Sequence, residues 1–138
     1  INIKKFIMSL FIDHVVITVT DIDKSIHFYS NVLGMELQEF LSTTDNAKRK
    51  SLKFGKQKIN LHEATKPFKP HAHNPLPGTM DICFLSEINV NDWIKIFDKF
   101  DIKIEDGPAI KTGANGPIKS IYVRDPDKNL IEISNQNY

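Results

Sequence analysis

The same order of segments occurs twice along this chain. Ile12 to Thr20 (IDHVVITVT) is rich in Val, Ile and Thr, which predicts a strand ended by Asp21. Asp21 is placed to cap a helix over Ile22 to Leu33, with Ile26, Tyr29, Val32 and Leu33 at helical spacing and Gly34 as its stop. Three short strands are expected next, at Met35 to Leu41, Lys50 to Phe54 and Lys58 to His62. Lys66 to Gly78 holds four of the seven prolines and reads as a linker. A second round follows: a strand over Thr79 to Leu85, a helix capped by Asn89 or Asn91 and running through Phe100, and strands at Lys103 to Glu105, Ser120 to Val123 and Asn129 to Ile133. Asp125-Pro126-Asp127-Lys128 turns the last pair.

Each half is therefore strand, helix and three strands, a duplication of architecture with little identity between the copies. The 138 residues suit one α+β domain, with a first module over about 11–65, the linker over about 66–78 and a second module over about 79–135. Residues 1–9 read as an N-terminal extension, upstream of a natural start at Met8. Two such modules can set their sheets side by side with helices outside, leaving an inner concave face to line a pocket.

Charge narrows the partners only by exclusion. Lys and Arg total 18 against 17 Asp and Glu, and the lysines are scattered, so neither a nucleic-acid footprint nor a membrane-surface helix is expected. The opening apolar run is too short and broken to span a membrane. Cys83 is the sole cysteine, which excludes an intrachain disulfide and fits a reducing cytoplasm.

Strand alternation then sorts the side chains. Val15, Ile17 and Val19 share one face of the first strand and His14, Val16 and Thr18 the other; Ile59 and Leu61 oppose Asn60 and His62. In the second half Met80, Ile82 and Phe84 oppose Asp81, Cys83 and Leu85; Ile121 and Val123 oppose Ser120, Tyr122 and Arg124; Ile131 and Ile133 oppose Glu132. The polar faces thus carry His14, Asn60, His62, Asp81, Tyr122 and Glu132, a donor set of imidazole nitrogen and carboxylate oxygen that suits a divalent Zn, Ni, Mn, Fe or Co ion. A satisfied surface histidine and a glutamate on a wet sheet face are the competing structural readings. His71 and His73 form an H-x-H pair in a loop without a third ligand nearby, Trp93, Phe97 and Phe100 read as helix core, and Arg124 sits beside Asp125 and Asp127 at a strand end.

Two stretches, IDHVVITVTDIDKSIHFYSNVLGMEL at 12–37 and IYVRDPDKNLIEIS at 121–134, carry a resemblance. The chain resembles the vicinal oxygen chelate superfamily of glyoxalase I, extradiol dioxygenases, fosfomycin-resistance enzymes and bleomycin-resistance proteins. KFGKQKINLHEA, PLPGTMDICFLSE and GPIKSIYVRDPDKNLIEISN are similar to its branch of glyoxalase domain-containing protein 5 and bacterial virulence proteins. The resemblance implies two βαβββ modules forming an open, cupped mixed β-sheet with the helices outside. It implies metal ligation by His14 and Glu132, and by Asp81 where most members have histidine. Asn60 falls where glyoxalase I has a glutamate ligand, and joins Ser120 and Arg124 as substrate-binding candidates. Tyr122 matches a tyrosine that contacts substrate or acts as an acid, and His62 is the second candidate for moving a proton.

Asparagine cannot serve as the second base that glyoxalase I needs to move a proton between adjacent carbons. Asp81, in place of a histidine, likewise departs from the iron site of extradiol dioxygenases. The expectation is a divalent-metal-dependent, glyoxalase-like lyase or isomerase whose small substrate chelates through neighbouring oxygens. A metal-free, ligand-sequestering protein of the bleomycin-resistance type and an extradiol-type dioxygenase are the alternatives. Homodimerisation is expected from the superfamily, whose paired modules often exchange between chains.

Overall fold

A computed structural model describes residues 2–4 and 9–138. The expected start at Met8, like most of the expected extension, lies outside the described residues. The elements run β1 (His14–Val19), α1 (Ile22–Ile26), a wider helical stretch (His27–Val32), β2 (Glu36–Leu41), β3 (Lys48–Phe54), β4 (Gln57–Glu63), β5 (Asp81–Leu85), α2 (Val90–Lys99), β6 (Asp106–Gly113), β7 (Gly116–Arg124) and β8 (Leu130–Asn135). They build two four-stranded mixed sheets, ordered β1-β4-β3-β2 and β5-β8-β7-β6. In each, the first and last strands of a module pair in parallel and the others are antiparallel. Among the described residues no helix is long and apolar enough to cross a membrane.

Both helices start where their caps predict. The Asp21 carboxylate accepts from the amides of Asp23 and Lys24, each at 3.1 Å, and the Asn89 side chain accepts from the amide of Asn91 at 2.8 Å. The first helix widens from His27 onward, with the Leu33 amide reaching the Phe28 carbonyl, and stops at Gly34, whose φ of 82° suits glycine. Phe28, Tyr29 and Val32 from this stretch and Val90, Trp93 and Phe97 from α2 are buried against Ile17, Leu52, Ile59 and Leu61 of the first sheet and Ile121, Val123, Ile131 and Ile133 of the second. One apolar core therefore serves both modules, each large side chain contributing about 1.5–3 kcal/mol on burial.

The halves are also tied by polar contacts. Tyr29 donates its hydroxyl to Asp125 at 2.6 Å in a buried bond, and the Thr20 amide reaches the Asp127 carboxylate at 3.2 Å. Asp125 further accepts from the amides of Asp127 and Asn129 and from the Asn129 side chain, which locks the turn between β7 and β8.

One expected strand is misplaced. Lys103 to Glu105 is irregular, and the strand is instead β6, which begins at Asp106 and includes Gly107, Pro108 and Gly113. Glycine and proline signal a break in a sequence, but β6 is an edge strand with an irregularity between Asp106 and Ala109, where a missing N–H and a kink are tolerated.

Candidate functional site

The duplication extends to individual residues. In the first sheet His14 pairs with Lys58 and Val16 with Asn60; in the second Asp81 pairs with Leu130 and Cys83 with Glu132. His14 and Asn60 thus stand in the same relation as Asp81 and Glu132, each a pair of donors on adjacent parallel strands, offset by two residues. All four lie on the sheet faces opposite the shared core.

The second module's face is ordered around Glu132. Its Oε2 accepts from Ser120 Oγ at 2.6 Å and from Ser134 Oγ at 3.2 Å, and the two hydroxyls, both fully buried, are 2.7 Å apart. Tyr122 lies directly across from Glu132 on β7 and Cys83 directly across on β5. Partial burial and then the negative charge of Glu132 push the Tyr122 phenol up to about 12, so it stays protonated at neutral pH. Burial is also the main cause that raises the Cys83 thiol. Glu132, Tyr122 and Cys83, with Leu85, Lys111 and Ile118, line a cavity of about 550 Å³. Neither Glu132 nor Asp81 forms an ion pair among the described residues.

The first module's face is differently furnished. His14 is exposed, and its Nδ1 is 2.7 Å from Asp13 Oδ2. A carboxylate behind one ring nitrogen is the arrangement that orients a ligating histidine. Asn60 Oδ1, Ser51 Oγ and Arg49 Nε are buried without a hydrogen-bond partner. Phe68, from the linker, lies over this region, its ring centre 3.6 Å from the Arg49 guanidinium carbon and 4.1 Å from the His62 ring. Burial, then Arg49 and His71, lower the His62 pKa, so this imidazole is neutral at neutral pH. His62 and His71 both line a groove of about 280 Å³ under the linker.

The sequence candidates are therefore divided between two faces. Asp81, Ser120, Tyr122 and Glu132 share one, and His14, Asn60 and His62 the other. Among the described residues no three His, Cys, Asp or Glu side chains form a group able to hold a metal, so His14, Asp81 and Glu132 do not meet within one chain. Ser120 is buried as a support for Glu132. Arg124 is engaged by Glu105 through bonds of 2.6 and 3.1 Å and by the Lys128 carbonyl, outside the cavity around Glu132. From the sequence, neither Arg49 nor Phe68 is a candidate, and His71 enters only as part of a loop H-x-H pair. Arg49 falls one residue before the expected Lys50 to Phe54 strand but within the observed β3, whereas Phe68 and His71 reach the face only through the path of the linker.

Residues 11–133 match the family described as the Glyoxalase/Bleomycin resistance protein/Dioxygenase superfamily. The chain belongs to this superfamily. It is 49% identical over 123 residues to virulence protein STM3117 of Salmonella typhimurium, an alignment covering 89% of this chain and 82% of that protein. The crystal structure of STM3117 superposes with a TM-score of 0.83 at 47% identity, over 91% of this chain and 96% of the other. Glyoxalase domain-containing protein RDO1 of Mycosarcoma maydis is also 49% identical over 123 residues, 89% of this chain and 66% of RDO1. An integron cassette protein from V. cholerae matches with a TM-score of 0.85 at 41% identity, over 93% and 96% of the two chains. The fold alone extends to a lactoylglutathione lyase from Agrobacterium tumefaciens, at 22% identity and a TM-score of 0.66 over 93% of this chain and 94% of that one.

Proposed function

We propose that this superfamily member is a divalent-metal-dependent, glyoxalase-like enzyme whose small substrate presents two neighbouring oxygens, and that its site is completed between two copies of the chain. The observation that carries this reading is the repeated donor register, with His14 backed by Asp13 on one face and Glu132 held by two buried serines on the other. A half-buried carboxylate without a basic partner suits a cation. Because the two faces point away from a common core, His14 of one copy would join Asp81 and Glu132 of a second.

Charge supports that pairing. The first face carries Arg49, Lys53 and Lys58 against Glu36, and the second carries Asp81, Asp106 and Glu132 against Lys111 and Arg124. Such complementarity favours the meeting of unlike faces. The sheet-edge strands β1 and β5 also expose Val16 and Leu85.

A bound ion would supply Lewis-acid polarisation of the substrate oxygens. The chain's own residues divide the remaining work. Tyr122 keeps its proton and donates it to developing negative charge on the substrate, and neutral His62 accepts one. Asn60 faces the substrate, because an amide at the position matching Glu132 cannot act as a base. The same Asn60 favours a second reading, a ligand-sequestering cup without chemistry.

Elemental analysis of untagged protein, purified without added metal, separates these readings. Near-stoichiometric divalent metal, lost in both His14→Ala and Glu132→Gln, is expected of the enzyme. Metal-free protein that cannot be loaded supports sequestration. Mixing the two variants tests the shared site: donors from different copies restore part of the metal in mixed dimers, whereas a site within one chain restores none.

A further inference from the structure

We propose that Arg49, Ser51 and Asn60 form a binding site for the carboxylate and adjacent hydroxyl of a small 2-hydroxy acid, with Phe68 as a cover that the ligand displaces. The inference deepens the proposed function and rests on its assignment of Asn60 to the substrate, but it does not depend on the metal.

Three polar atoms of one sheet face lack partners, and their chemistry is complementary to one ligand. Ser51 lies directly across from Asn60 between β3 and β4, and Arg49 is the next residue on that face of β3. Arg49 Nε can only donate, Asn60 Oδ1 can only accept, and the Ser51 hydroxyl, which can do either, is free to donate to a carboxylate. A carboxylate satisfies both donors, and a hydroxyl on the neighbouring carbon satisfies the acceptor. Ser51 is only 1% exposed, so its hydroxyl has no recourse to bulk water. Buried groups of this kind are costly when left unpaired, and a native fold retains them where a partner is supplied.

The surroundings suit an anion. Lys53 faces Lys58 across the strands, an unfavourable like-charge pair that a bound anion relieves, with Glu36 beside Lys53 as the opposing strand charge. Asp45 holds the Arg49 Nη2 at 2.6 Å, which orients the guanidinium and leaves Nε to the face. The Phe68 ring lies over the Arg49 end of this arrangement. Phe68 makes ring contacts with Arg49 and His62, lies outside the core cluster and sits in the Lys66-Pro67-Phe68-Lys69-Pro70 stretch of the linker, so it can be replaced without opening the core.

The test is calorimetric titration of the metal-depleted full chain with glycolate, against acetate, which lacks the hydroxyl, and ethylene glycol, which lacks the carboxylate. Glycolate is expected to bind at least about tenfold more tightly than either, the scale of one buried hydrogen bond. Phe68→Ala should tighten glycolate binding severalfold, because the covered state no longer competes. Arg49→Gln should weaken it about tenfold or more, and Asn60→Ala should reduce it to the acetate level. Absence of glycolate binding in both the parent and Phe68→Ala overturns the proposal, as does undiminished binding by Arg49→Gln with a native circular dichroism spectrum. Glycolate binding by a chain that in separate loading experiments takes up no divalent metal upholds this site while removing the metal-dependent reading.

Discussion

The two modules share a backbone plan and differ in how their inner faces are finished. At the position of Glu132, with its carboxylate braced by Ser120 and Ser134, the first module has Asn60, whose amide oxygen is unpartnered. At the position of Asp81 it has His14. One face is thus acidic and internally supported, the other basic, incompletely hydrogen-bonded and covered by an aromatic side chain from the linker. Duplication supplies two equivalent geometries, and the side chains then furnish them differently, one face acidic around Glu132 and the other basic around Arg49, Lys53 and Lys58.

The most severe way to break this division is to change the matching positions one at a time. Glu132→Gln keeps the volume and loses the charge, so retained metal should fall to background. Asn60→Ala should leave metal content near that of the parent, as read by elemental analysis of both proteins. Equal losses would show that the two positions share one task. A smaller change tests the bracing: Ser120→Ala removes the 2.6 Å bond to Glu132 while leaving the carboxylate. Metal affinity, measured by competition with a chelator, should drop by about 10–100-fold, the usual effect of removing a group that orients a ligand.

The halves differ in chemistry but are expected to unfold together, because they share a core and the Tyr29–Asp125 bond. Tyr29→Phe removes a hydrogen bond to a buried carboxyl group and should cost about 1.5–3 kcal/mol in urea unfolding. Asn129 still donates to the same oxygen of Asp125, so the turn is expected to persist. One transition with an unchanged slope supports a single cooperative unit, whereas two transitions would show that the modules are separable.

Strand alternation made much of this legible. It placed Val15, Ile17, Val19, Ile59, Leu61, Ile121, Val123, Ile131 and Ile133 toward the core and the polar candidates opposite, because that periodicity is local. The caps at Asp21 and Asn89 were legible for the same reason. β6 was not, since Gly107 and Pro108 signal a turn unless one knows the strand lies at an edge. The division of the candidates between two faces was also hidden: alternation tells which side of a sheet a residue takes, but not which other face that side will meet. Phe68 illustrates the same limit, because its contact with Arg49 depends on where the proline-rich linker crosses.

The smallest expected effect concerns that covered face. Burial, Arg49 and His71 hold His62 below its ordinary pKa of 6.5, so the folded chain binds this proton less readily than the unfolded chain does. As pH falls below about 6.5 the unfolded state takes up the proton first, and this residue therefore lowers folding stability progressively toward its own depressed pKa. Above that range His62 is neutral in both states and contributes no pH dependence. Replacing it with Asn should make the stability curve flatter between neutral pH and mildly acidic pH, as measured by urea midpoints of the two proteins at matched pH values. An equally steep decline in His62→Asn would assign the acid sensitivity to other groups and leave the basic face of the first module without a part in it.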